Sequence, residues 1–546
     1  MRHFYRVMLI VIGLFVIVMG EDLSIKAEPI RPEVRAIWVD AFHDGAKTPD
    51  QIDKLIKDCL TANINTLIVQ VRRRGDAYYN QSIEPRTEDP KLPQGFDALQ
   101  YLIDKAHANH MEIHAWLNTL VAWNSSVPPK NPDHVWNQHG PKASARANWI
   151  AYYRTYDKTH ASWSEKVYSS YFLDPGNPDA LDYTVDVYLN VVKHYDVDGI
   201  HLDYSRYDGM GWGYNPTSVA RFNAQYGTTG LPAPDDPRWL QWRREQTANL
   251  VRKIYLKAIA IKPGLKVSSA VITWGDGPVV ESDWEKSRNY NDVAQDWLSW
   301  LREGIIDMVI PMNYFNEWNP IQQGWFNRWI EWEKDHQYGR QIVIGPGIFS
   351  QYIEQSLDQI RRAQAPSALG NHTTGVALYA YAWDNLYSND DFRQPASAKI
   401  LPRQPHVYMP ETNEWLFPLL ASPGSYLDPV LHQQIVTESV FSSPVPVPDM
   451  PWKSHPFDGY LMGTVSGFGG KTYDHLLITV ESANFGGSKI SRQTFTDGSG
   501  WFGLSELPPG EYFLRINHPD FAGQRPIFVG IQPGKVTEAD VVPADR

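Results

Sequence analysis

The sequence predicts an α/β chain, a (β/α)8 TIM barrel followed by a small C-terminal β-sandwich, and three observations carry that expectation. Between residues 35 and 381, eight short apolar runs alternate with helix-patterned segments. From Asp458 onward the pattern changes to short alternating strands broken by turn residues. The length of 546 residues exceeds one ordinary core but suits a barrel of roughly 250 to 400 residues plus a smaller module.

The eight runs are "RAIWVD" (35–40), "INTLIVQVR" (64–72), "MEIHAWLN" (111–118), "DGIHLDY" (198–204), "KVSSAVIT" (266–273), "IDMVIPMN" (306–313), "QIVIGPGI" (341–348) and "TGVALYAY" (374–381). Strands this continuously apolar are buried on both faces, as a parallel sheet covered by helices requires, and eight of them close into a barrel. The helices carry their own punctuation. In "TPDQIDKLIKDCLTANIN", Thr48 is an N-cap, Pro49 takes the first helical position and Gln51 completes a capping box. Ile52, Leu55, Ile56, Cys59 and Leu60 then share one apolar stripe, which makes Cys59 a small buried hydrophobe rather than a reactive thiol. Gly304 ends "WLSWLREG" with a residue suited to a left-handed stop.

The remaining segments divide the chain. Residues 1–27 place Arg2 and Arg6 ahead of an apolar run, Met8 to Met19, too short to span a bilayer comfortably, and read as an export signal ending near Ala27 or as an uncleaved anchor. Residues 28–400 hold the barrel, with a long insertion at roughly 120–173 that is placed to overhang the mouth. Residues 401–457 are proline-dense and read as a partly extended connector, and 458–546 form the sandwich. With one cysteine and no disulfide, an exported chain fits a bacterial periplasm, envelope or exterior.

Composition narrows the chemistry. A net charge of −12 argues against a nucleic-acid partner, which needs a concentrated basic surface. The 21 Trp and 29 Tyr suit stacking on the C–H faces of sugars as well as ordinary core packing. No HExxH, paired-cysteine or EF-hand spacing occurs, so neither a metal nor another cofactor is expected.

Period-two alternation sorts the strand residues by face. In "DGIHLDY", Ile200 and Leu202 face the helices, so Gly199, His201 and Asp203 face the barrel axis, with Asp203 at the carboxyl end where barrel enzymes work. The same reasoning turns Trp38, Asp40, Gln70, Arg72, His114, Trp116, Asn118, Asn313, Tyr379 and Tyr381 inward. Glycosidic cleavage uses one carboxylate to stabilise or attack the oxocarbenium-like centre and a second carboxyl to protonate the leaving oxygen. Asp203 is assigned the first role, with Arg206, His201 and Arg72 holding it ionised. For the proton donor, "TWGDGPVVESDWEKS" supplies Asp276, Glu281 and Asp283, and Glu317 and Asp384 are further choices. Asp40, Tyr204, Trp274, Tyr314 and Trp383 complete a substrate-binding set that also contains Arg72, His114, Trp116, Asn118, His201, Arg206, Asn313 and Tyr379. The expectation is therefore an exported glycosidase acting on a polysaccharide. A non-catalytic glycan-binding barrel is the alternative if no second carboxyl reaches Asp203.

These residues lie in stretches that resemble the glycosyl-hydrolase-like family 10, bacterial (β/α)8 enzymes of the cell envelope. The matching stretches include "EVRAIWVDAF" (33–42), "FLDPGNPDALDY" (172–183), "VDGIHLDYSRYDG" (197–209), "QDWLSWLREGIIDMVIPMNYF" (295–315) and "GVALYAYAWD" (375–384). The resemblance implies glycan hydrolysis and, for one branch, cleavage of peptide-free peptidoglycan strands. In the tail, "TDGSGWFGLSELPPGEYFLRI" (496–516) resembles a carboxypeptidase-regulatory or transthyretin-like sandwich, an accessory module whose partner its residues do not specify.

Overall fold

The computed structural model describes residues 31–160, 162–165, 170–389, 403, 408–483 and 489–543. The expected export signal or anchor, residues 1–27, lies outside them. No helix among the described residues is long and apolar enough to cross a membrane.

The barrel strands are β1 (Val34–Val39), β2 (Thr66–Arg72), β3 (Glu112–Asn118), β4 (Gly199–Asp203), β5 (Lys266–Val271), β6 (Met308–Asn313), β7 (Gln341–Pro346) and β8 (Gly375–Leu378). They form one closed parallel ring in the order β1-β8-β7-β6-β5-β4-β3-β2. The helices around it include α1 (Pro49–Thr61), α2 (Ala98–His107), α3 (Pro178–His194), α4 (Pro216–Tyr226), α5 (Pro237–Ile261), α6 (Trp297–Glu303), α7 (Pro320–Asp335) and α8 (Ile353–Gln364). The outer faces of the strands and the inner faces of the helices merge into one apolar layer containing Ile37, Leu67, Ile113, Ile200 and Leu202. The inner faces form a second cluster, with Trp38, Ile68, Trp116, Ala270, Ile310 and Val343 filling the barrel. That separation is what alternation in a doubly covered sheet produces.

Local signals act as their chemistry dictates, with two adjustments. Thr48 caps α1 by accepting from the Gln51 N–H, and Ile52, Leu55, Ile56 and Cys59 are buried. Burial pushes the Cys59 thiol up, so it stays protonated. Leu60 instead lies in solvent, at the edge of the stripe. The Gln51 side chain does not close a capping box; its Oε1 accepts from the N–H groups of Gly45 and Lys47 and so folds the loop before the helix. Gly304 does take the left-handed stop, at φ 72°.

The described part of the proline-dense segment, residues 408–457, packs against the barrel. Its "LFPLL" run forms α9 (Leu416–Ala421), which buries Leu416, Phe417 and Leu420 in the outer core. Further on, Met450 joins the inner barrel cluster at the amino ends of the strands, with Val447 and Trp452 packed against it. Trp452 Nε1 donates to Asp307 Oδ1 at 2.7 Å and Lys453 Nζ lies 3.0 Å from Asp307 Oδ2, which closes that end of the barrel. Pro446 O and Asp449 O accept from Glu33 N–H and Gln341 Nε2, fastening the plug at its rim.

The tail forms two facing sheets, of three and four strands, around Leu461, Ile478, Val480, Phe502, Tyr512 and Leu514. It is tied to the barrel. Lys253 of α5 is buried and pairs with Asp497 at 2.9 Å, Arg221 of α4 pairs with Asp474 at 2.7 Å, and Trp501 joins the outer barrel core.

Candidate active site

The carboxyl ends of the strands open into a cavity of about 520 Å³. Its floor is aromatic: Trp38 on β1, Trp116 on β3, and Tyr314 and Tyr379 just beyond β6 and β8. Tyr314 and Tyr379 stack at 5.2 Å and 28°, and Trp38 meets the edge of Tyr379 at 5.9 Å. The insertion after β3 contributes Val121, Asn124, Ser170 and Phe172, so it does overhang the mouth. Two of its short strands, Val121–Trp123 and Tyr171–Phe172, pair antiparallel and hold that overhang together.

Asp203 stands at the end of β4 and lines this cavity. Its Oδ2 accepts from Trp116 Nε1 at 3.2 Å and its Oδ1 from the Tyr204 N–H at 2.7 Å. Tyr204 has φ 52°, a left-handed turn that brings its own amide back onto the carboxylate. Burial pushes the Asp203 carboxyl up, and the Arg206 guanidinium, the Tyr204 N–H and the Trp116 N–H pull it partly back. Arg206 itself is buried, lies 4.5 Å over the Tyr204 ring and donates to Asp208 and Tyr207 O. Trp274 lines the same wall, between Arg206 and Arg288.

A hydrogen-bond chain fixes the floor to the acid. Asn118 Oδ1 accepts from Trp116 Nε1 at 3.2 Å and from Gln70 Nε2 at 3.0 Å, while Asn118 Nδ2 donates to Arg73 O at 2.9 Å. Below it, His201 Nε2 accepts from Trp38 Nε1 at 3.2 Å, which leaves the His201 Nδ1 proton for Ser268 Oγ at 2.9 Å. Burial pushes the His201 imidazole down, so it is a neutral group that orients Trp38, one layer beneath the cavity. His114 is also interior, 3.3 Å from Glu112 Oε2 near the closed end, and does not line the cavity.

Several expected members of the site are placed elsewhere. Arg72 turns outward, because the β2–β3 register shifts between Gln70 and Arg72, and its guanidinium pairs with Glu84 at 2.7 Å in the outer layer. Asn313 also faces outward and donates to Glu333 of α7 at 2.8 Å; the inward residue there is Met312. Tyr381 bonds Asp58 of α1 rather than entering the barrel. Asp40 accepts from the N–H groups of Phe42 and His43 and from the His43 ring, on which Trp383 packs at 4.0 Å, so Asp40 and Trp383 brace the loop beside the cavity.

None of the proposed proton donors reaches the cavity. Asp276 is exposed and paired with Arg328, and Glu281 is 62% exposed and paired with Arg302. Asp283 caps the turn at Val279 and Val280, and Glu317 pairs with Arg362. Asp384 is buried among the Glu414 and Leu416 N–H groups and the Asn385 amide; burial pushes it up to about 7, against the pull of those donors. Among the described residues, Asp203 is the one carboxylate lining the cavity. Phe42, Arg73 and Asn124 are lining residues that strand alternation did not single out, since each lies just past a strand end.

A closed parallel barrel with a buried carboxyl among aromatics at its mouth is an architecture that a glycosidase-like protein can use, and the family match makes this chain one. The chain belongs to the glycosyl hydrolase-like 10 family, whose family model matches residues 33–362, more than half of its length. It is 28% identical over 328 residues to the glycosyl hydrolase YngK of Bacillus subtilis, covering 56% of this chain and 58% of that protein. To the glycosyl hydrolase DigH of Escherichia coli K12 it is 27% identical over 275 residues, covering 49% and 57%. The chain thus spans less than two thirds of either relative. Among solved structures, the glycoside hydrolase domain of PgaB from Bordetella bronchiseptica aligns with a TM-score of 0.46 at 15% identity, over 64% of this chain and 94% of that one.

Proposed function

We propose that this protein is an exported enzyme that hydrolyses glycosidic bonds of a polysaccharide, with the glycan strands of the bacterial wall as the first substrate to try, and that Asp203 handles the proton. The observation that carries this reading is the Asp203 carboxyl, buried at the end of β4 yet open to an aromatic-walled cavity of about 520 Å³. A site of that volume suits a few sugar units. A carboxyl whose burial favours the neutral form suits proton donation to a leaving oxygen better than the permanently ionised role first assigned to it. Trp116, through its N–H, keeps the group aimed and limits its rise.

The N-terminal Arg2, Arg6 and the apolar run after them support export to a bacterial envelope or exterior. A second reading, a glycan-binding barrel without turnover, is favoured by the single carboxylate among the described lining residues. One experiment separates the two: incubate wild type and Asp203→Asn with peptide-free peptidoglycan strands and with assorted glucans, and analyse products by mass spectrometry. The hydrolase reading expects shortened strands from wild type and about 10²- to 10⁴-fold less from the variant. Binding without product from wild type selects the second reading.

A further inference from the structure

Among the described residues, Arg73 and Arg206 are the arginines that line the cavity, and Arg206, like the nearby Arg72, Arg74 and Arg288, is already committed. Arg72 is held by Glu84, Arg74 donates to Asn124 Oδ1 at 2.7 Å, Arg206 donates to Asp208, and Arg288 donates to Asp292 at 2.9 Å. Arg73 is different. It lines the cavity and its Cζ sits 3.9 Å over the Phe42 ring; its buried Nε lacks a hydrogen-bond partner, as do those of Arg74 and Arg206, but those two have acceptors at Nη1 and Arg73 has none there among the described residues. No carboxylate pairs with it there either. A desolvated guanidinium donor without an acceptor is costly, and the planar fork it belongs to matches a carboxylate better than it matches hydroxyls.

The surroundings point the same way. Arg74 occupies Asn124 Oδ1, which leaves the Asn124 Nδ2 hydrogens as the polar end of that cavity-lining side chain. Stacking on Phe42 holds the guanidinium plane, and Asn118 Nδ2, by donating to Arg73 O, ties its backbone to the chain that runs through Trp116 to Asp203. Arg206 contributes to the charge state of Asp203, whereas Arg73 is not among the groups that do. One arginine therefore serves the acid and the other lines the open cavity without a partner among the described residues.

We propose that Arg73, seconded by the Asn124 amide, is a specificity-determining residue that pairs with a carboxylate carried by the bound sugar, so that the cavity prefers acidic glycans. This rests on the reading of the cavity as a glycan site, but not on turnover. The test uses the full chain and two acidic glycans with different sources of the carboxylate, peptide-free peptidoglycan strands and an oligogalacturonide, each beside its own carboxyl-reduced form. Kd values are measured by fluorescence titration of the Asp203→Asn protein, which reads recognition whether or not the wild type cleaves. For at least one pair, the expected preference for the acidic form over the reduced form is tenfold or more. Adding Arg73→Gln brings that ratio to within twofold, and Arg73→Lys, which keeps the charge but not the fork, leaves it in between. A ratio near one before Arg73 is changed, a ratio that survives Arg73→Gln, or no binding of either pair overturns the proposal. Product formation by wild type without any acidic preference would overturn it while leaving the hydrolase reading intact.

Discussion

The two ends of the barrel hold buried aspartates in opposite circumstances. At the closed end, Asp307 accepts from Tyr255 Oη at 3.0 Å, Trp452 Nε1 at 2.7 Å and the Val267 N–H at 2.8 Å, with Lys453 at 3.0 Å. At the open end, Asp203 has the Trp116 and Tyr204 N–H groups and faces a cavity. A carboxylate surrounded by donors and a cation is a structural fastening. One with fewer partners and an open side keeps capacity for a ligand, and its protonation is left sensitive to burial. The contrast separates stability from chemistry within a single ring of strands.

The largest expected effect comes from the open end. Asp203→Asn is expected to lower the rate of strand cleavage by about 10²- to 10⁴-fold, measured by reducing-end release, without loss of fold. The raised folded pKa fixes the sign for stability: the contribution of Asp203 is full below its unfolded value near 3.9 and is lost as pH rises through the folded value. Asparagine removes that dependence, so the variant should be at least as stable as wild type at neutral pH in urea denaturation. A variant both inactive and strongly destabilised would erase the contrast between the two ends.

The closed end should respond the other way. Lys453→Met removes the nearer of the two cations beside Asp307 and leaves the buried carboxylate with neutral donors and with Arg340, whose Nη1 is 3.9 Å from Oδ1. Breaking a buried pair from one side costs about 3 kcal/mol or more, to be read as a lower unfolding free energy, while the folded fraction keeps its specific activity. Lost activity with stability intact would mean that the plug communicates with the mouth.

Trp116→Phe tests the acid's tuning with a smaller effect. The Trp116 N–H stabilises the ionised form of Asp203, so its loss raises the carboxyl further. If the protonated acid is the working form, the alkaline limb of the rate–pH profile moves up by about one pH unit, with a rate loss of about tenfold from disturbed packing. An acid limb that moves up while the alkaline limb stays put would assign Asp203 the anionic role instead.

These residues also mark how far the sequence could be read. The eight strands were legible because each is an apolar run bounded by polar turns, and Asp203 was legible because Gly199, His201 and Asp203 alternate cleanly against Ile200 and Leu202. "MVIPMN" has apolar side chains on both faces and so carries no phase, which is why Asn313 was turned the wrong way. Arg72 was displaced by a register shift, which alternation cannot register. Arg73 sits in a tract of three arginines whose fates diverge only through Glu84, Phe42 and Asn124, partners distant in sequence.

The smallest expected effect concerns the acids that sequence position made attractive. Asp276 and Glu281 follow β5, where barrel enzymes often place catalytic groups, yet strand period does not extend into a loop. Their ion pairs with Arg328 and Arg302 are solvent-exposed, and such pairs contribute about 0 to 1 kcal/mol. Asp276→Asn and Glu281→Gln should each change the cleavage rate by less than about twofold and the unfolding free energy by less than about 1 kcal/mol. A loss near that of Asp203→Asn in either variant would require the β5 loop to swing its carboxyl into the cavity when glycan binds. The open end would then be a site assembled by substrate rather than one already built around Asp203.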